Sequence, residues 1–173
     1  MENNSFLYPM IVKNKVWPYD PSKYLYCYAH QGIEIVINTG RIFNASGVEL
    51  TENLNVDLRQ YHLPRYPSQG VLTPDGRIVL HDVILHGSSL WERQEFLNSI
   101  QTDVQKIIKC PIKVAMHYDL CTWPAVNEFI ARGKGLGCAG LWMKKKGSQY
   151  WTSRKAPIST KDWYLLTEEV NDG

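Results

Sequence analysis

The densest run of side chains able to do chemistry is Lys144-Lys145-Lys146, followed at short range by Tyr150, Trp151, Arg154, Lys155 and Lys161. Cations interleaved with aromatics suit the backbone phosphates and stacked bases of a nucleic acid. Lys146-Gly147-Ser148 is also a plain turn signal, so the same strip reads equally as a solvated hairpin tip. The histidines point less clearly to chemistry. His81 and His86 are five apart in a strand pattern, face opposite sides and cannot share a metal. His117 and Asp119 are same-face neighbours that could form an acid/base pair, but no nucleophile precedes them in the manner of a triad. Cys27, Cys110, Cys121 and Cys138 show no C-x-x-C spacing, which argues against a zinc site or a disulfide framework and for buried thiols.

The elements that must hold these residues come from a chain of 173 residues, 44% apolar and 21% charged, enough for one well-filled core and a single domain over 1–173. A net charge of +2 is too small to indicate nucleic acid by bulk electrostatics, so any such reading rests on local clustering. Six Trp and ten Tyr exceed what such a core needs and favour an aromatic binding surface. No apolar run of about 20 residues occurs, and the first ten residues lack a charged-then-apolar leader, so a soluble, cytoplasmic protein is expected.

Residues 1–22, with Pro9, Pro18 and Pro21, read as an extended lead laid across the domain, its Phe6, Tyr8, Met10, Val16 and Trp17 needing cover. From Tyr24 to Gly47, alternating bulky residues interrupted at His30-Gln31-Gly32 and Asn38-Thr39-Gly40 predict three antiparallel strands joined by tight hairpins. Residues 49–67 lack a period and read as a connecting loop. A second hairpin is expected from Gln69 to Leu85 about Pro74-Asp75-Gly76. Ser89 and Glu92 form a capping box, and Phe96, Leu97, Ile100, Val104, Ile107 and Ile108 recur at helical spacing behind it. Pro111 to Tyr118 reads as a strand. Thr122, Pro124 and Gly133 bracket a shorter helix with Val126, Phe129 and Ile130 inward.

Laid in order, these segments resemble the motif regions of the covalent nucleotidyltransferases, the ATP-dependent DNA ligases and mRNA capping enzymes. In that family a strand carries the nucleophilic lysine in K-x-D-G, and a later hairpin ends in S-R-x-G. Here Gly32 and Gly47 match the glycines, while the lysine falls on Ala29, the aspartate on Gln31, a following arginine on Glu34, and the serine and arginine on Asn44 and Ala45. Gln69-Gly70-Val71-Leu72 stands where D-G-E-L is expected, and His81-Asp82 where an aromatic precedes Asp. Leu90 to Leu97 is similar to the L-x-E-R-R-x-x-L helix start. Gly140-Leu141-Trp142-Met143-Lys144 is similar to the G-x-x-x-K strand, its glutamate replaced by Ala139. Arg154 and Trp163 are kept in the Y-x-x-G-x-R and W segments, and two terminal lysines become Leu165 and Thr167.

The resemblance implies an α+β fold, two packed antiparallel sheets with flanking helices, ligase adenylation-domain-like and ATP-grasp-like, without an OB-fold. It implies a vestigial nucleotide pocket at Ala29, Gly32, His81, Gly140 and Lys144, and nucleic-acid contacts at Lys144, Lys145, Lys146, Trp151, Arg154 and Lys155. Nucleotidyl transfer needs a lysine amine, carboxylates for the metal and cations for the phosphates. A methyl group at position 29 and valine at 71 supply none of these, and Lys23, about 20 Å along the strand, cannot deputise. The expectation is a non-catalytic relative without catalytic residues, metal or cofactor, binding DNA or RNA, or a ligase or repair protein, in DNA repair or replication, with no membrane. Two alternatives stay open. One is a subunit of a split ligase, with ATP and Mg engaged through a partner that supplies the catalytic groups; the other is an interaction protein whose old nucleotide cleft receives a peptide.

Overall fold

The computed structural model describes residues 6–12, 20–51, 64 and 66–170. Of the expected lead segment, Val16, Trp17 and Pro18 lie outside the described residues, as does most of the connecting loop, 52–63 and 65.

Among the described residues, ten strands and two α-helices follow one another as β1 (Met10–Val12), β2 (Tyr24–His30), β3 (Ile33–Asn38), β4 (Arg41–Asn44), β5 (Ser68–Leu72), β6 (Ile78–Val83), α1 (Leu90–Gln105), β7 (Ile112–Val114), α2 (Trp123–Gly135), β8 (Cys138–Lys145), β9 (Ile158–Thr160) and β10 (Trp163–Leu166). One sheet has the order β4-β3-β5-β6-β7, a second β10-β8-β2, and β1 pairs with β9 in a small parallel ribbon. The second sheet is antiparallel throughout, whereas the first carries one parallel pair, β6 with β7, at its edge.

Strand alternation builds the layers. Tyr24, Tyr26, Leu141, Met143 and Leu166 point one way and pack on Trp123, Val126 and Ile130 of α2. Cys27, Ala29 and Trp142, one residue out of phase, point the other way and meet Val79 and Ala115. The first sheet does the same: Ile35, Ile37, Ile78 and Leu80 pack on Leu97, Ile100 and Val104 of α1. The two sheets therefore lie face to face, with a helix covering each outer face.

Several expectations change in detail. The His30-Gln31-Gly32 turn does not close a hairpin. β2 pairs with β8 and β3 pairs with β4 and β5, so the chain crosses there from one sheet to the other. Gly32 has φ +148°, and a Cβ on it would collide with the Leu72 carbonyl oxygen. The crossing thus demands glycine whatever chemistry surrounds it. The Ser89 capping box is present, but α1 stops at Gln105, leaving Ile108 88% exposed rather than on its apolar face. Gly133 does not end α2; it is buried inside the helix with no room for a side chain beside the Tyr28 ring, and the helix runs to Gly135. The strand expected over 111–118 shrinks to Ile112–Val114. All four thiols are free, but only Cys27 and Cys138 are buried; Cys121 is exposed. Among the described residues no helix is long and apolar enough to cross a membrane.

Candidate functional site

The space between the sheets, where the resemblance implies a nucleotide, is occupied by side chains. Ala29 is buried against Cys27, Val79, Ala115 and Trp142, with half-buried Leu165 packed on them. His81 stacks on Trp142 with ring centroids 5.0 Å apart and planes 23° from parallel. Trp163 sits edge-on to Trp142, His81 and Tyr150. Two of the retained glycines have packing reasons of their own. A Cβ on Gly140 would strike the Leu166 carbonyl, and one on Gly70 the Val79 carbonyl.

One local irregularity organises the charged centre of this cleft. The β5–β6 register slips between Gln69 and Gly70, so that Asp82 opposes Gln69 while Leu80 opposes Gly70 and His81 is left over as a bulge. Bulges re-aim side chains, and here both His81 and Asp82 reach Lys144 of β8. The Lys144 ammonium lies 2.5 Å from the His81 carbonyl oxygen, 3.0 Å from Asp82 Oδ2, 3.2 Å from His81 Nδ1 and 3.1 Å from His117 Nε2. It also lies 4.7 Å from the centre of the Trp163 ring. Arg93 of α1 approaches from the other side, Nε donating to Asp82 Oδ1 at 2.7 Å and Nη1 to the Ser88 carbonyl at 2.7 Å. The side chains of Asp82, Arg93 and Lys144 are all 0% exposed.

An ammonium only donates, so both imidazole nitrogens facing Lys144 act as acceptors and both rings are neutral. Burial and the neighbouring Lys144 charge hold His81 and His117 well below the usual histidine range. Burial pushes the Asp82 carboxyl up, but Lys144 and Arg93 more than offset this and bring it down to about 2. Two cations face one carboxylate, leaving one positive charge in excess inside the protein. Tyr150 completes the wall: its hydroxyl donates to Gln69 Oε1 at 2.7 Å and accepts from the Met10 amide at 2.9 Å.

The residues singled out in the sequence fall into three places. Ala29, His81, Gly140 and Lys144 do gather between the sheets, but as packed core. Gly32 lies at the crossing. Lys144 is corrected from the exposed basic strip, because its position on the strand turns it inward beside Trp142 while Lys145 turns out. Lys146 is half-buried and bonded to Asp119 Oδ2 at 2.7 Å. Lys145, Trp151, Arg154 and Lys155 are exposed. His117 and Asp119 do not pair with each other; one faces Lys144 and the other Lys146. Buried His81 and exposed His86 do point apart. Among the described residues no group of three or more His, Cys, Asp or Glu is arranged to hold a metal ion.

Lys144 is a lysine amine between the sheets, but it does not stand near position 29. It pairs with Leu25, four rungs down the ladder from the Ala29–Gly140 pair, about 13 Å away. Its charge is committed to Asp82. Sequence reasoning missed Arg93. The signal available was charged residues set inside apolar runs, Asp82 in IVLHDVIL and Lys144 after LWM.

No family model matches the chain, and no curated protein matches it in sequence. Solved structures do match it. A Lig E DNA ligase aligns with a TM-score of 0.70 at 12% identity, over 93% of this chain and 68% of that one. The Chlorella virus DNA ligase–adenylate aligns at 0.69 and 13%, over 92% and 67%. The mycobacterial DNA ligase D complexed with ATP aligns at 0.66 and 14%, over 94% and 60%. At these identities the likeness is one of fold: the chain has the fold of the adenylation domain of ATP-dependent DNA ligases.

Proposed function

We propose that this chain is a non-catalytic ligase-like domain that binds nucleic acid, in DNA repair or replication, through exposed cations and an aromatic in residues 145–155. The observation that carries the first half is the filled cleft. The methyl group of Ala29, which the resemblance aligns with the nucleophilic lysine, is packed against Val79, Ala115 and Trp142, and the ammonium of Lys144, about 13 Å along the ladder, is bound to Asp82. A bound ATP would have to displace Trp142 and His81 and separate a fully buried charge cluster, which costs several kcal/mol. The same packing counts against a peptide in the old cleft and against a partner that inserts a lysine there. The second half rests on Lys145, Arg154 and Lys155, whose exposed charges suit phosphates, beside Trp151, 44% exposed.

Incubation with α-labelled ATP and magnesium is expected to leave no acid-stable nucleotide on the protein; a covalent adduct refutes the non-catalytic reading. Anisotropy titration of a labelled oligonucleotide at low salt is expected to show binding that weakens with salt and falls when Lys145 and Lys155 become glutamate. Absence of binding at low salt refutes the nucleic-acid reading.

A further inference from the structure

A groove of about 540 Å³ lies beside the β3–β4 hairpin. Its walls are the segment around Phe6 and Tyr8, the β3–β4 hairpin with Phe43, and the loop that carries Arg154. These walls are tied together. The Tyr8 amide donates to the Ser153 carbonyl at 2.9 Å, linking the first wall to the third. Asn44 Oδ1 accepts from the Ser46 and Val48 amides at 3.0 and 2.9 Å, fixing the turn behind β4. Gly47, at φ +89°, leaves room for the Phe6 ring. A groove of this size and firmness is within the range of small-ligand sites, about 300–1,000 Å³.

Its chemistry is specific. Phe6 packs edge-on to Tyr8 at 4.9 Å and tilted on Phe43 at 5.4 Å, giving a wall of half-buried rings. Of the charges, Arg41 is bonded to Glu49 through two contacts of 2.9 and 3.0 Å, which neutralises that pair. Arg154 has no ion-pair partner among the described residues and is exposed at the rim. A ring-lined hollow beside one uncommitted guanidinium fits a ligand that is planar and aromatic at one end and anionic at the other.

We infer that this groove takes an unpaired nucleotide of a single-stranded nucleic acid, its base against Phe43 and Tyr8 and its phosphate on Arg154. The inference rests on the nucleic-acid reading above and adds the form recognised. A duplex stacks its bases inside and offers phosphates on a convex surface, so it can use Arg154 but not the hollow, whereas a free base can enter it.

The test uses the whole chain, a labelled oligothymidylate of about a dozen residues, the duplex of equal length, and thymidine monophosphate as competitor. Expected are binding of the single strand about tenfold tighter than the duplex, and a roughly five- to tenfold loss for Arg154→Ala with a salt slope shallower by about 0.7. Phe43→Leu, which keeps an apolar side chain against Phe6, is expected to weaken the single strand several-fold and leave the duplex unchanged. Equal or tighter duplex binding with both variants silent overturns the groove while leaving nucleic-acid binding intact. Failure of both nucleic acids to bind overturns the two together. Competition by the monophosphate at concentrations matching the strand overturns the strand as ligand in favour of a free nucleotide.

Discussion

Replacing Asp82 by asparagine keeps the shape of the central side chain and removes the negative charge that Lys144 and Arg93 share. Each cation now touches a carboxylate oxygen, at 3.0 and 2.7 Å, and none of the three side chains is exposed. At an effective dielectric of about 20 each contact is worth roughly 5 kcal/mol of attraction before desolvation. The asparagine amide retains part of the hydrogen bonding, but two buried cations lose their counter-charge. Breaking a buried pair in this way costs about 3–5 kcal/mol, a large part of the roughly 5–15 kcal/mol that holds a domain folded. At about 2–4 °C per kcal/mol for a chain of this size, Tm is expected to fall by roughly 6–20 °C. Lys144→Met is the control. It removes the cation in excess and leaves the Asp82–Arg93 pair, so its cost is expected to be smaller, about 1–2 kcal/mol. Urea unfolding followed by tryptophan fluorescence reads both, since Trp163 and Trp142 lie in the same cluster. A loss under about 1 kcal/mol for Asp82→Asn, or the reverse order of the two variants, would refute the charge reasoning.

Acid should unfold the protein through His81 and His117. Both are held well below their unfolded value of 6.5, so below that pH the unfolded chain binds more protons and stability falls as pH falls. The unfolding free energy is therefore expected to be flat above pH 7 and to drop by about 1.4 kcal/mol per pH unit for each ring below 6.5; His117→Gln should remove part of the slope, and an unchanged profile contradicts the neutral assignment. Asp82, lowered from 3.8 to about 2, adds stability that is present above 3.8 and disappears as pH falls towards 2, so Asp82→Asn should flatten the most acid part of the same curve. Gly140→Ala forces a methyl group into the Leu166 carbonyl and is expected to cost more than about 3 kcal/mol or to abolish soluble protein; an innocuous substitution by denaturant melt contradicts the packing explanation of that glycine.

Much of this molecule is legible in one dimension. The capping box at Ser89, the Pro74-Asp75-Gly76 turn and the Thr122 cap are local chemistry, and each appears at its place. The glycines, and the alanine and valine at positions 29 and 71, also stand in the sequence. Tertiary structure decided which strands became neighbours. Alternation tells each strand which residues share a face but not which strand lies beside it, so β2 and β3 read as a hairpin and turned out to belong to different sheets. The same limit hid the charge cluster. Lys144, Asp82 and Arg93 are separated by 62 positions at one contact and 11 at the other, and their meeting depends on a one-residue bulge in β6 and on where α1 begins. A local pattern fixes the direction of a side chain, whereas the partner waiting there is set by packing between distant segments.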